Sequence, residues 1–526
     1  MPDISANFRK SGGILVPAGY SPPRRRLRGG YNSASRSDAA MANFAGSDML
    51  NADDGLIRSR RLLIASRARN EFCNNSYAYG IIWTLANDTI GTGPRLQLVA
   101  ADELMDETED SFKRLQRREA RFHAWARRVH FNELLRSARL AKAIDGESFI
   151  VLAANPGLGG EVILQPSIRP AENVASLMPQ GMIREYYKTG EPVEVDGIRY
   201  DKNGNPLTYR FWPLPPESPS GMSVGGQSSE IQAKYVIHYA NLPRVGQHRG
   251  VSEMSPALHV FNDMRRYSTA VVLAAEIAAR VSFIITNQLD PQLFSDKHMG
   301  DNNQVFFPDM ISDPNESPYD MTPSNRFMEG GIFDGIVLPD GYDAKQMRAE
   351  QPTSQYQTFL KAKIEEAARV FQMPFNVAAG NSSSYNYASG RLDHQTYHKA
   401  LKVERSRIED VILSRVYAAW EEFDRPLHWE DYVADDVEAT WMWDGFEHVD
   451  PVKEANAQAV RLANGVTTLA EECAREGRDY LTVIRQRRRE LDHFRKQTPD
   501  AMPPWLLNKS VVTSPDSQDT RPEKSE

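Results

Sequence analysis

The densest group of side chains able to bind a metal or move protons is Asp444, Glu447, His448 and Asp450. Carboxylates beside an imidazole can hold a divalent cation or share acid–base work, so a metal-dependent nuclease is one reading of this cluster. The other reading is structural. Asp450 stands before Pro451, where an aspartate caps the free amides of a new helix and proline suits its first turn. The other three then occupy the preceding turn, and this reading is the stronger. Asp145-Gly146-Glu147, ahead of a strand-like run, also pairs two carboxylates, and a turn explains it better than catalysis does. The chain has no Gly-Lys dipeptide, hence no Walker A loop for nucleotide phosphates, and no HExxH zinc pair. These residues predict a non-enzyme that needs no cofactor and no metal.

Residues 374–390, PFNVAAGNSSSYNYASG, offer a different chemistry. The segment has no lysine, arginine, aspartate or glutamate, yet Asn381, Ser382, Ser383, Ser384, Tyr385 and Asn386 all carry hydrogen-bonding groups. Neutral hydrogen bonds contribute about 0.5–1.5 kcal/mol net and exchange readily with water. Such a surface touches a phosphate backbone without gripping it. Two apolar-striped helices must position it. The first carries Tyr356, Phe359, Leu360, Ile364, Ala367, Ala368 and Phe371, and Pro374 stops it. The second carries Leu401, Ile408, Val411, Ile412, Ala419, Trp420 and Phe423 over roughly thirty residues, longer than a typical globular helix. The stripes alone fit a helical hairpin in an ordinary core.

With 526 residues the chain is too long for one core and should divide into modules. It is 41% hydrophobic and 25% charged with a net charge of −8, so it is no generic nucleic-acid glue. Cys73 and Cys473, far apart, suit a reducing compartment and form neither a disulfide framework nor a zinc cluster. The start has no apolar signal core but a basic stretch at residues 22–28, PPRRRLR. The one apolar run long enough to tempt a membrane reading, residues 270–286, contains Glu276 and Arg280 and is not a spanning helix.

Along the chain, Asp53 or Asp54 is positioned to cap a helix through Phe72, and a second follows from Tyr77 to Gly91-Thr92-Gly93. A third helix has Phe112, Leu115, Phe122, Trp125 and Val129 on one face. Arg114, Arg117, Arg118, Arg121, Arg127 and Arg128 lie on the other. A solvated face or a subunit contact suits that stripe better than nucleic acid. Strands follow at 148–153, 161–165 and 234–239, and a hairpin turns about Asn203-Gly204, where Ile198, Tyr200, Leu207, Tyr209 and Phe211 alternate. A helix opens near residues 252–256 and carries Arg265 and Arg266. Strands at 281–286 and 332–338 bracket a polar insert. After Trp441-Met442-Trp443 the chain reads as helical, with Thr468 and Glu471 as a capping box, Gly477 as a stop and Asp479 as the last cap.

Several of these segments together resemble the lambda family of tailed-bacteriophage portal proteins. The carriers are Arg67-Ala68-Arg69, Asn74-Asn75, Gly91-Thr92-Gly93, Asp145-Gly146-Glu147, Val236-Ile237-His238 and residues 246–252, GQHRGVS. Leu338-Pro339, Met373-Pro374, Asn386-Tyr387-Ala388-Ser389 and residues 443–454, WDGFEHVDPVKE, complete the set, in order, over about 50–495. The resemblance implies an α+β, mainly α, portal-type fold in a ring, usually of about twelve copies, around a central channel. The implied map is a basic tail at 1–45, a wing at 46–251, stem helices at 252–280 and 349–373 flanking a clip at 281–348, and a tunnel loop at 374–390. A long wing helix at 391–440, a helical crown at 441–506 and a tail at 507–526 follow. The implied role is the DNA channel at one capsid vertex, for packaging and ejection of double-stranded DNA. Implied partners are further copies of the chain, the terminase large subunit, major capsid or scaffold protein and head–tail connectors, with no membrane. The implied location is the virion, and host cytoplasm during assembly. Asn381 through Asn386 would touch DNA, and Arg265 and Arg266 would face the channel or, preferably, a neighbouring subunit. A nuclease, or a capsid or scaffold protein without a channel, remains the alternative.

Overall fold

The structure is a computed structural model, and it describes residues 8–11, 14–17, 52–100, 109–176, 193–216, 228–280, 283–287, 342–346, 355–383, 386–432, 437–446, 451–478 and 480–497. Contacts divide the chain into one unit of Met1–Ile57 with Arg244–Gln247 and a second of Arg58–Pro243 with His248–Glu526. The first holds an antiparallel pair, β1 (Phe8–Ser11) and β2 (Ile14–Pro17), and a one-turn helix, α1 (Ala52–Gly55). Two expectations change here. Part of the expected tail is a hairpin. Asp53 and Asp54 sit in the first turn of α1, where the helix dipole favours carboxylates, rather than capping the longer helix that starts at Arg58.

The second unit opens with α2 (Arg58–Asn74) and α3 (Ser76–Ile90). Asn75 makes the corner: its side-chain oxygen accepts from the amides of Tyr77 and Ala78, while its amide group donates to the Phe261 carbonyl. Then come β3 (Arg95–Ala100), α4 (Glu109–Arg128), α5 (Phe131–Asp145), β4 (Glu147–Ala154) and β5 (Leu164–Arg169). Four short strands form a meander: β6 (Val193–Val195), β7 (Ile198–Tyr200), β8 (Pro206–Phe211) and β9 (Ser229–Gln232). The hairpin expected about Asn203-Gly204 joins β7 to β8, and its register shifts at Arg199/Tyr200. β10 (Val236–Ala240) returns beside β4, giving a sheet of order β10-β4-β5.

The long helix α6 (Leu258–Arg280) leads into β11 (Phe283–Asn287), which pairs antiparallel with β12 (Tyr342–Gln346). The strand expected at 332–338 lies outside the described residues. α7 (Gln355–Val370) packs on α6, with Tyr267 against Tyr356 and Phe359. A short helix, α8 (Phe375–Ala379), precedes α9 (Tyr387–Ile408). A π-turn at Glu409–Leu413 joins α9 to α10 (Ser414–Asp424). The expected run to residue 440 stops at Asp424 because Pro426 lacks an amide donor and restrains the residue before it.

The helices expected after Trp443 follow a last strand, which lies mostly within the span expected for the long wing helix. β13 (Val437–Met442) includes Trp441 and pairs with β3, before α11 (Pro451–Ala463), α12 (Leu469–Arg475) and α13 (Tyr480–Gln497). Val437, Ala439 and Trp441 alternate toward the core, where Phe122 meets Tyr417, Trp420 and Trp441 edge-on. The Thr468–Glu471 capping box forms as expected, and Gly477 adopts a positive φ at the end of α12. Asp450 and Asp479 lie outside the described residues. A second core packs α3, α6, α7 and α9 around Ile81, Phe261, Ile364 and Leu401, and a third lies under the meander around Phe149 and Tyr209. No helix among the described residues is long and apolar enough to cross a membrane.

Candidate functional site

The uncharged segment is more ordered than its composition suggests. Helix α8 occupies its first part and α9 its last, leaving only residues 380–386 between them. Gly380 takes the left-handed conformation that ends α8, and the Asn381 amide donates to the Asn376 carbonyl. The Asn381 side-chain oxygen then accepts from the Ser383 amide at 3.0 Å, a local turn typical of asparagine. Asn386 caps α9, accepting from the amide and hydroxyl of Ser389 at 2.9 and 3.0 Å. So two of the residues expected to touch DNA also shape their own backbone. Asn381, Ser382, Ser383 and Asn386 are exposed; Ser384 and Tyr385 lie outside the described residues.

Of the carboxylate cluster only Asp444 lies among the described residues, and its carboxylate is engaged by a neighbouring turn. The Asp444 carboxylate accepts from the Thr92 amide at 2.5 Å and from the Thr92 hydroxyl at 2.8 Å. Its backbone carbonyl accepts from Arg405, whose guanidinium lies against the rings of Trp443 and Phe446. Asp444 thereby ties the Gly91-Thr92-Gly93 turn to the strand leaving β13. A Cβ at Gly91 would stand 2.5 Å from that carboxylate and displace it from Thr92, and the positive φ of 59° at this position itself favours glycine. Glu447, His448 and Asp450 lie outside the described residues, and no group of three potential metal ligands occurs among those described. A hydrolase-like pentapeptide, Gly221-Met222-Ser223-Val224-Gly225, does occur. Its neighbours are Pro, Gly and Ser rather than the strand and helix a nucleophile elbow needs, and it too lies outside the described residues.

Asp145-Gly146-Glu147 proves to be the electrostatic centre of the fold between α2, β4 and β10. Glu147 is fully buried and accepts from Arg61 at 3.0 Å, Arg249 at 2.7 Å, His238 at 2.9 Å and the Gly250 amide at 2.7 Å. Asp196 meets the same two arginines and Arg58. Burial pushes the Glu147 carboxyl up, but Arg249 and Arg61 outweigh it and hold it well below the usual carboxylate range. The backbones cross tightly there: a Cβ at Gly250 would sit 2.2 Å from the Gly146 carbonyl oxygen. Asp145 pairs outward with Arg69 at 2.6 Å. Sequence reasoning took these residues for a simple turn because their partners lie far away along the chain.

The arginine stripe of α4 is answered largely within the chain, although Arg117, Arg127 and Arg128 are exposed. Arg117 and Arg121 pair with Asp431, Arg121 also with Asp424, and Arg118 with Glu421 and the Tyr417 hydroxyl. Arg128 donates to the Gly159 carbonyl. Arg265 likewise pairs with Glu71 of its own chain at 2.8 Å, while Arg266 is exposed.

A family model described as phage portal protein, lambda family, matches residues 46–405. The chain belongs to this family. The match begins ahead of α1 and ends inside α9, so it includes the Glu147 centre, the α6–α7 pair and the uncharged segment. As a phage portal protein the chain forms a DNA channel of the virion, and neither a nuclease nor a channel-free scaffold is supported. No curated protein matches the chain. Among solved structures it is similar to the neck of an empty gene transfer agent particle at 15% identity, over 79% of this chain and 93% of that one, with a TM-score of 0.42. It is also similar to an HK97 family phage portal protein from Corynebacterium diphtheriae at 13% identity, over 76% and 97%, with a TM-score of 0.25.

Proposed function

We propose that copies of this chain close into a ring of about twelve, joined by one repeated heterologous contact, at one vertex of the capsid. Double-stranded DNA passes through its centre during packaging and ejection. In this reading α6 and α7 are the stem, β11 and β12 belong to the clip, and residues 380–386 meet the DNA. The clip is the docking surface for the terminase motor and later for head–tail connectors, and the wing contacts capsid or scaffold protein. Assembly takes place in the host cytoplasm. The chain itself does no chemistry on the DNA, and the motor's ATPase is a separate protein.

One observation supports the DNA-contact reading: in this portal-family chain Asn381, Ser382, Ser383 and Asn386 are exposed and carry hydroxyls and amides but no charge. Contacts that neutralise six to ten phosphates change affinity by about 10³–10⁵ between 50 and 200 mM salt, a measure of how firmly cations hold DNA. A ring of arginines at this level would brake a moving duplex; serines do not. Replacing Ser382 and Ser383 with arginine leaves the Asn386 cap intact and should slow DNA packaging while rings still form. Packaging at the normal rate in that variant would remove the segment from the DNA path.

A further inference from the structure

The chain is acidic overall, yet α13 concentrates six cations against two carboxylates in eighteen residues. Their arrangement is uneven. At 3.6 residues per turn, Thr482, Val483, Gln486, Arg487 and Glu490 share one side of α13. There they line a cavity of about 800 Å³ against Gln97 of β3 and His123 of α4. Arg488 and Arg495 fall on the opposite side, with Arg489 and Lys496 at its shoulder, and all four are exposed. No ion pair involves any of these four among the described residues. That separates them from the α4 stripe, whose arginines pair with Asp424 and Asp431.

We propose that this outward side of α13 binds the phosphate backbone of duplex DNA, without sequence preference. The inference rests on the chain being a DNA channel but concerns a surface distinct from residues 380–386. Charge complementarity selects the partner: the molecule's cargo carries about one negative charge per 1.7 Å of its axis. From Arg488 to Lys496 the helix advances about 12 Å, enough to follow several consecutive phosphates. Arginine suits the task, since its planar fork pairs with phosphate oxygens in two places. Asp492 lies in the middle of the cationic side and is exposed, so it opposes the same partner.

The test uses the assembled full-length protein and a short labelled duplex of mixed sequence, with binding followed by fluorescence anisotropy at about 50 and about 200 mM salt. Four phosphate contacts imply a loss of affinity on the order of 100-fold between those salt concentrations. The variant R488Q/R489Q/R495Q/K496Q should lose most of that dependence and bind correspondingly weaker at low salt. D492N should bind tighter than the parent, a gain that misfolding cannot imitate. Equal affinity and equal salt dependence in parent and fourfold variant would overturn the inference, as would no duplex binding by intact parent rings at low salt. Either result leaves the ring reading standing, because that reading fails only if rings do not assemble.

Discussion

Glu147 is the residue that ties three distant parts of the fold together. It joins α2, β10 and the Arg249-Gly250 segment through one carboxylate, and removing one partner of a buried charge set typically costs about 3–5 kcal/mol. Glu147→Gln should therefore lower stability by about that much in denaturant unfolding, leaving Arg249 and Arg61 in mutual repulsion. The direction of the pH dependence follows from the depressed carboxyl. Its stabilisation is complete above the ordinary glutamate range, near pH 4.3, and is lost as pH falls toward the folded value. The parent's stability should thus fall more steeply than that of Glu147→Gln as the solution is acidified below about pH 4. Equal acid limbs would show that other groups dominate. Asn386 acts more modestly: Asn386→Ala should cost about 1 kcal/mol through loss of the α9 cap.

At the scale of elements, what was legible depended on how local the signal is. The β7–β8 hairpin and the Thr468–Glu471 box are written within a few residues, and both form. Pro426 is equally local and ends α10, although the apolar stripe of Trp420 and Phe423 runs up to it. β13 alternates visibly at Val437, Ala439 and Trp441, yet its partner β3 is more than three hundred residues away and nothing nearby announces the pairing. The α4 arginines were visible as a stripe, and their acids on and after α10 were not. Helix α12 attaches at a similarly hidden place. A Cβ on Gly445 would come within 2.4 Å of the Arg475 carbonyl oxygen, and one on Gly477 within 2.6 Å of the Trp443 carbonyl oxygen. Gly445→Ala should therefore displace α12 from the strand leaving β13. Faster amide exchange confined to α11 through α13 would report it, and an unchanged exchange map would count against that attachment.

For the whole molecule, family membership was readable because its signals are spread in order through the chain, none of them specific alone. The uncharged segment was readable from composition, whereas its reduction to residues 380–386 needed the positions of α8 and the Asn386 cap. Arg265, on α6, pairs with Glu71 within the chain, a partner that lies far away in sequence. What remains central is closure of the ring. The most direct measurement is the mass of the purified, assembled particle by light scattering, with negative-stain images of the same sample. A closed ring of about twelve 59.3 kDa chains comes to about 710 kDa, and end-on views should show one central hole. Particles that stay near 59.3 kDa under assembly conditions, or closed shells without an axial opening, would contradict the account.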